Sequence, residues 1–130
     1  MLTDAFERYL DAIFMIEDSG SRVRVKDIAE SLGVSNPSVS EMVERLVENG
    51  LATHDKYGHI GLTPRGRRIA RELNRKHSVI KRFFVNVLGV SEETAERDAC
   101  LIEHVISDES LESLVEFLET ITGAGGENAG

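Results

Sequence analysis

The stretch from Val25 to Leu62 limits what this chain can fold into more tightly than any other. Ile28, Ala29 and Leu32 recur at helical spacing over Val25–Leu32, which predicts a short amphipathic helix. Gly33-Val34-Ser35 follows as a tight turn, with Gly33 suited to the positive φ that ends a helix. Asn36-Pro37 then opens a second helix. The residue before a proline avoids the α region and proline favours a first helical position, so the pair predicts Asn36 as N-cap and a helix from Pro37 to about Glu48. Val39, Met42, Val43, Leu46 and Val47 form its inward stripe. Asn49-Gly50 stops it, and Leu51–His54 and His59–Leu62 read as two short strands around Asp55-Lys56-Tyr57-Gly58.

Helices surround this segment. Phe6, Tyr9, Leu10, Ile13 and Phe14 give an amphipathic helix over Thr3–Glu17, whose polar face holds Asp4, Glu7, Arg8 and Asp11. Thr63-Pro64 repeats the cap-plus-proline signal and opens a long helix to about Val87, stopped by Gly89. Ser91 caps a fifth helix through about Ile106, with Glu92 and Glu93 in the first turn where the helix dipole favours acids. Ser107 caps a sixth, lined by Leu111, Leu114, Val115 and Leu118. The expected fold is mainly α. A winged helix-turn-helix domain is expected over residues 1–70, a helical domain over 71–122, and a disordered tail over 123–130.

Helix, tight turn, helix and hairpin together point to DNA. Ser35, Asn36, Pro37, Ser38, Ser40 and Glu41 cluster at the start of the second helix. Unpaired backbone N–H groups and the positive dipole end there suit phosphate, and small polar side chains let a helix enter a major groove about 12 Å wide. Lys56, Tyr57 and His59 at the hairpin tip are placed to lie along the backbone. The formal charge of −8 speaks against DNA only as an average. Residues 1–75 hold eleven basic and twelve acidic side chains, whereas 76–130 hold four and eleven. Nine bases and one acid fall within 56–82. A surface ligand feels its local patch, because screening sets in over about 8 Å at physiological salt.

A second constellation lies further along. Cys100, Glu103 and His104 stand at i, i+3 and i+4, one face of a helix, with His77 on the long helix as a fourth donor and Asp11 or Glu7 as a carboxylate from the first. Thiolate, carboxylate and imidazole form a mixed-softness set suited to Fe(II), Co(II), Ni(II) or Zn(II). One cysteine allows no internal disulfide and fits a reducing compartment, so a cytoplasmic location is expected. No apolar run reaches the roughly 18–20 residues of a membrane span, and no secretory signal opens the chain. No general base stands beside an open coordination position, and no nucleophile elbow or phosphate loop is present. A small metalloenzyme is therefore a weak alternative to a regulator, and no small organic substrate is expected. A winged-helix regulator sensing oxidant through Cys100, or a small molecule, is the other alternative.

Several stretches resemble the diphtheria-toxin-repressor type of metal-dependent transcriptional repressors, which includes iron and manganese regulators. They are Glu7-Arg8-Tyr9-Leu10, Asp27-Ile28-Ala29-Glu30, Pro37-Ser38-Val39-Ser40, Leu62-Thr63-Pro64-Arg65-Gly66, Arg75-Lys76-His77 and Ala99-Cys100-Leu101-Ile102-Glu103-His104-Val105. The resemblance spans about residues 5–118 and is that of the short form without an SH3-like domain. It implies divalent metal, Fe(II) or Mn(II) with Co(II), Ni(II) or Zn(II) as substitutes. It also implies that residues 71–122 form a helical metal-binding and dimerisation domain, and that the chain is a homodimer on a near-palindromic double-stranded operator. His77, Cys100, Glu103 and His104 match ligand positions, Asp11 matches a carboxylate ligand of the manganese branch, and Ser35, Pro37, Ser38 and Ser40 match the DNA-facing start of the recognition helix. Four positions depart from the pattern. Arg8 replaces a Met or Asp ligand, Lys81 a carboxylate, Glu96 a histidine, and Glu41 a neutral or basic DNA-facing residue.

Overall fold

The computed structural model describes residues 4–125, with side chains to residue 121. The chain divides into two compact units, the first ending at Leu73 and the second beginning at Asn74.

The first unit is built from α1 (Asp4–Asp18), α2 (Val25–Leu32), α3 (Asn36–Glu48), β1 (Ala52–His54), β2 (Ile60–Leu62) and the start of α4 (Pro64–Arg82). Leu10, Ile13, Val23, Ile28, Val39, Val43, Leu46 and Leu51 are fully or almost fully buried in one core. Each such aliphatic side chain stabilises the fold by about 1.5–3 kcal/mol relative to exposure. The turn between α2 and α3 places Gly33 at φ 69°, where only glycine is unstrained. The cap of α3 differs from expectation. Ser35, not Asn36, is the N-cap: its hydroxyl accepts the Ser38 N–H at 3.3 Å and its carbonyl accepts the Val39 N–H at 3.1 Å. Pro37 has no N–H to offer, so the first N–H in the cap's reach is that of Ser38, three residues beyond Ser35.

β1 and β2 pair antiparallel with Ala52 opposite Leu62 and His54 opposite Ile60. Asp55 shapes the connecting turn by accepting the N–H groups of Tyr57 (2.8 Å) and His59 (2.9 Å). These bonds hold its carboxyl below the usual range. Val23 adds an isolated antiparallel bridge to Ile60, which joins the segment before α2 to the wing. Thr63 caps α4 as expected, accepting the Gly66 N–H at 3.1 Å. Gly66 is required for a second reason: a Cβ there would lie 2.0 Å from the Leu51 carbonyl oxygen.

The second unit contains the rest of α4, α5 (Glu92–Ile102) and α6 (Asp108–Gly125). Val79, Leu111 and Leu118 form its buried centre. Two expectations are corrected here. The long helix keeps α geometry only to Arg82, and Phe83–Val87 widens into a π-helical turn in which the Leu88 N–H donates to the Phe83 carbonyl. Ser91 caps α5 as expected, but α5 ends at Ile102, with Glu103 as C-cap and His104 in the following turn. Ser107 is itself the next cap and needs non-helical backbone close behind. The backbone of α6 continues to Gly125, beyond the expected start of a disordered tail at 123. Residues 126–130 lie outside the described residues, as do 1–3. Among the described residues, no helix is long and apolar enough to cross a membrane.

Candidate metal centre and DNA-facing surface

His77 projects from α4 between two acids, Glu103 and Glu96. Its Nδ1 lies 2.8 Å from Glu103 Oε1 and its Nε2 3.0 Å from Glu96 Oε1. Lys81, one turn further along α4, places Nζ 3.1 Å from the same Glu96 oxygen. The other Glu96 oxygen faces Cys100 Sγ at 3.8 Å, because Glu96 and Cys100 are one turn apart on α5. Glu103 is only 2% exposed, and its second oxygen lies 3.4 Å from His104 Nε2.

With a carboxylate at each ring nitrogen, His77 favours the doubly protonated imidazolium. The hydrogen bond to Glu103 is the largest cause, ahead of the opposing effect of burial, and the pKa rises to about 9. The bond from His77 in turn lowers Glu96. In this state a proton on Nε2 fills a place that a cation can take. One nitrogen, oxygen and sulfur donor each from His77, Glu96 and Cys100 lie within 4.8 Å of one another, so the donor set fits a divalent transition metal. Glu103, on the other ring nitrogen, would orient a metal-bound imidazole and raise its basicity.

Of the expected ligands, His77 lies 2.8 Å from Glu103 and has a donor atom within 4.8 Å of Cys100, Glu103 lies 3.4 Å from His104, and Asp11 lies on α1 in the first unit. Glu96, noted in the sequence only as a departure from pattern, joins His77 and Cys100. Its i, i+4 spacing to Cys100 was the available signal.

On the first unit, Ser35, Asn36, Pro37, Ser38, Ser40 and Glu41 are all exposed, while Val39, Val43 and Leu46 anchor α3 beneath them. Lys56 and Tyr57 are exposed on the wing, with Lys56 Nζ 5.4 Å from the Tyr57 ring centroid. His59 is half-buried, turned toward Arg22 and Arg24. The basic run at 56–82 is not one free face. Arg65 donates to the Asn49 carbonyl, Arg67 pairs with Glu17, Arg75 with Glu112 and Lys81 with Glu96.

Fold and site thus define a class: a winged helix-turn-helix unit followed by a helical unit with a metal-type donor cluster. Residues 1–60 match the N-terminal DNA-binding domain of the iron-dependent repressors, and residues 63–123 match their metal-binding and dimerisation domain. The chain is 34% identical over 119 residues to the transcriptional regulator MntR of Geobacillus kaustophilus, covering 92% of this chain and 84% of that one. It is 36% identical over 121 residues to the diphtheria toxin repressor of Corynebacterium efficiens, covering 93% of this chain and 53% of that one. A manganese-dependent transcriptional repressor solved in complex with manganese superposes with a TM-score of 0.81 at 33% identity, over 87% of this chain and 52% of that one. The chain belongs to the iron-dependent repressor family, whose members are metal-dependent transcriptional repressors of the MntR and diphtheria-toxin-repressor type. It spans most of MntR and about half the length of the longer relatives.

Proposed function

We propose that this chain represses transcription as a homodimer that grips a near-palindromic operator when divalent iron or manganese is bound. The observation that carries the reading is His77 held between Glu103 and Glu96 with Cys100 beside Glu96. His77, Glu96 and Cys100 are the ligands this geometry favours. Glu103 orients His77, and His104 stabilises the buried Glu103 carboxylate. A divalent cation held by these residues would tie α4 to α5, which His77 otherwise joins through its hydrogen bonds to Glu103 and Glu96. The two states differ at the α4–α5 junction, and metal can bias DNA binding only by its differential affinity for them.

The proposed self-association surface runs along α6 and the π-helical turn. Phe83 and Phe117 pack edge-on at 6.0 Å, and they help line a cavity of about 540 Å³ with Leu114 and Ser113. Phe117 and Ile121 are exposed, an apolar surface of the kind that a second copy covers. A dimer presents two α3 helices to successive major grooves about 34 Å apart. The test is a gel shift on a duplex selected by the protein from a random pool, run with Mn(II), with Fe(II) under anaerobic conditions, and with chelator. Binding that survives chelator unchanged contradicts the metal switch.

A further inference from the structure

Val23 is almost fully buried and bridges Ile60, so its neighbours Arg22 and Arg24 both point to the opposite, solvent face of that short extended segment. The antiparallel bridge brings Arg24 beside His59. Arg24 Nη2 lies 3.1 Å from His59 Nε2, and Arg24 Nη1 donates to the Tyr57 carbonyl at 3.1 Å. Arg22 Nη1 reaches the same ring, 3.2 Å from both of its nitrogens. A neutral imidazole offers one acceptor, whereas two guanidinium groups bring ten N–H donors between them. Lys56, at the tip of the same wing, adds a third cation.

The acids nearby are largely engaged. Asp55 takes the Tyr57 and His59 N–H groups and approaches His59 Nδ1 at 3.4 Å. Asp27 accepts the Arg24 backbone N–H, and Glu17 pairs with Arg67. Two convergent guanidiniums sharing one acceptor make a surface that a dianionic or multi-oxygen ligand satisfies better than His59 does. A phosphodiester, with two free oxygens in a plane matching the guanidinium fork, is that ligand.

We propose that Arg22 and Arg24, gathered by His59 at the base of the wing, grip a phosphate of the DNA backbone. This rests on the DNA-binding reading above. Arg24 also fixes the wing through Tyr57, whereas Arg22 bonds the His59 ring alone among the described residues, so Arg22 is the sharper probe. Phosphate contacts set register and contribute affinity that falls with salt, without reading sequence.

The experiment is fluorescence anisotropy of a labelled 30-base-pair random-sequence duplex with the Mn(II)-loaded full chain, titrated across NaCl concentrations. Arg22→Ala is expected to lower the slope of log K against log salt by about one. Arg22→Lys is expected to keep the slope, since the charge remains. Far-UV circular dichroism of both variants should match the wild type, because Arg22 is exposed. An unchanged slope in Arg22→Ala, with the wild type binding normally, overturns the phosphate contact alone. A wild-type chain that binds neither this duplex nor a selected one overturns the DNA reading, and this inference with it.

Discussion

His77 Nδ1 lies 2.8 Å from Glu103 Oε1, and that carboxylate is 2% exposed. A buried acid is costly unless it is paired, so Glu103 holds His77 in one orientation with Nε2 aimed at Glu96 and toward Cys100. The centre is oriented before any cation arrives.

If Glu103 acts as the orienting partner, Glu103→Gln should weaken metal binding by about 10- to 100-fold, the range found when such partners of a ligating histidine are removed. Isothermal titration with Mn(II) measures it. Wild-type affinity in the variant contradicts the assigned role.

Cys100 and Glu96 should both be felt by the ion. With Co(II) as probe, the near-ultraviolet thiolate-to-metal charge-transfer absorption is expected in the wild type and lost in Cys100→Ser. Glu96→Gln should retain that band at reduced affinity. Spectra identical in wild type and Cys100→Ser remove the cysteine from the coordination sphere.

The raised His77 pKa gives two pH dependences of opposite kind. Metal competes with the His77 Nε2 proton and, in taking Cys100 as thiolate, with the thiol proton, so log affinity should climb by up to about two per pH unit near neutrality and flatten above roughly pH 9. The metal-free fold binds more protons than the unfolded chain between about 6.5 and 9. His77 therefore contributes stability that is full below pH 6.5 and lost as pH rises through 9. Thermal melts of the metal-free chain against those of His77→Gln read the difference: the wild-type advantage should shrink across that window. A constant gap contradicts the ionic assignment.

In the first unit, Gly66→Ala should destabilise by about 1–3 kcal/mol or more, because the methyl group meets the Leu51 carbonyl and backbone cannot easily yield. Ser35→Ala should cost about 0.5–2 kcal/mol and Asn36→Ala much less, since Ser35 is the cap. Urea melts check both, and equal losses at Ser35 and Asn36 contradict the cap assignment.

What was legible in the sequence was local. Thr63, Ser91 and Ser107 each accept the N–H three residues on, as their spacing predicts, and Gly33 takes the positive φ its turn needs. A cap is decided by neighbours within one turn. The misplaced cap at Asn36 and the overlong α5 share one cause: two good capping residues or two helical continuations competed, and only packed backbone decided between them. The less legible features were long-range. Glu96 had to be seen against His77 on another helix, and Arg22 and Arg24 against His59 across the Val23–Ile60 bridge. The basic run at 56–82 misled in the same way, since its partners Glu17, Asn49, Glu96 and Glu112 come from four distant segments.

Metal at His77, Glu96 and Cys100 is proposed to control DNA binding. Anisotropy of a selected duplex, followed as Mn(II) or anaerobic Fe(II) is added to wild type and to His77→Ala, tests it most directly. The wild type should gain at least tenfold in DNA affinity with metal and lose it on chelation, while His77→Ala should stay at the metal-free level throughout. Equal DNA affinity in the wild type with metal and with chelator would contradict the account.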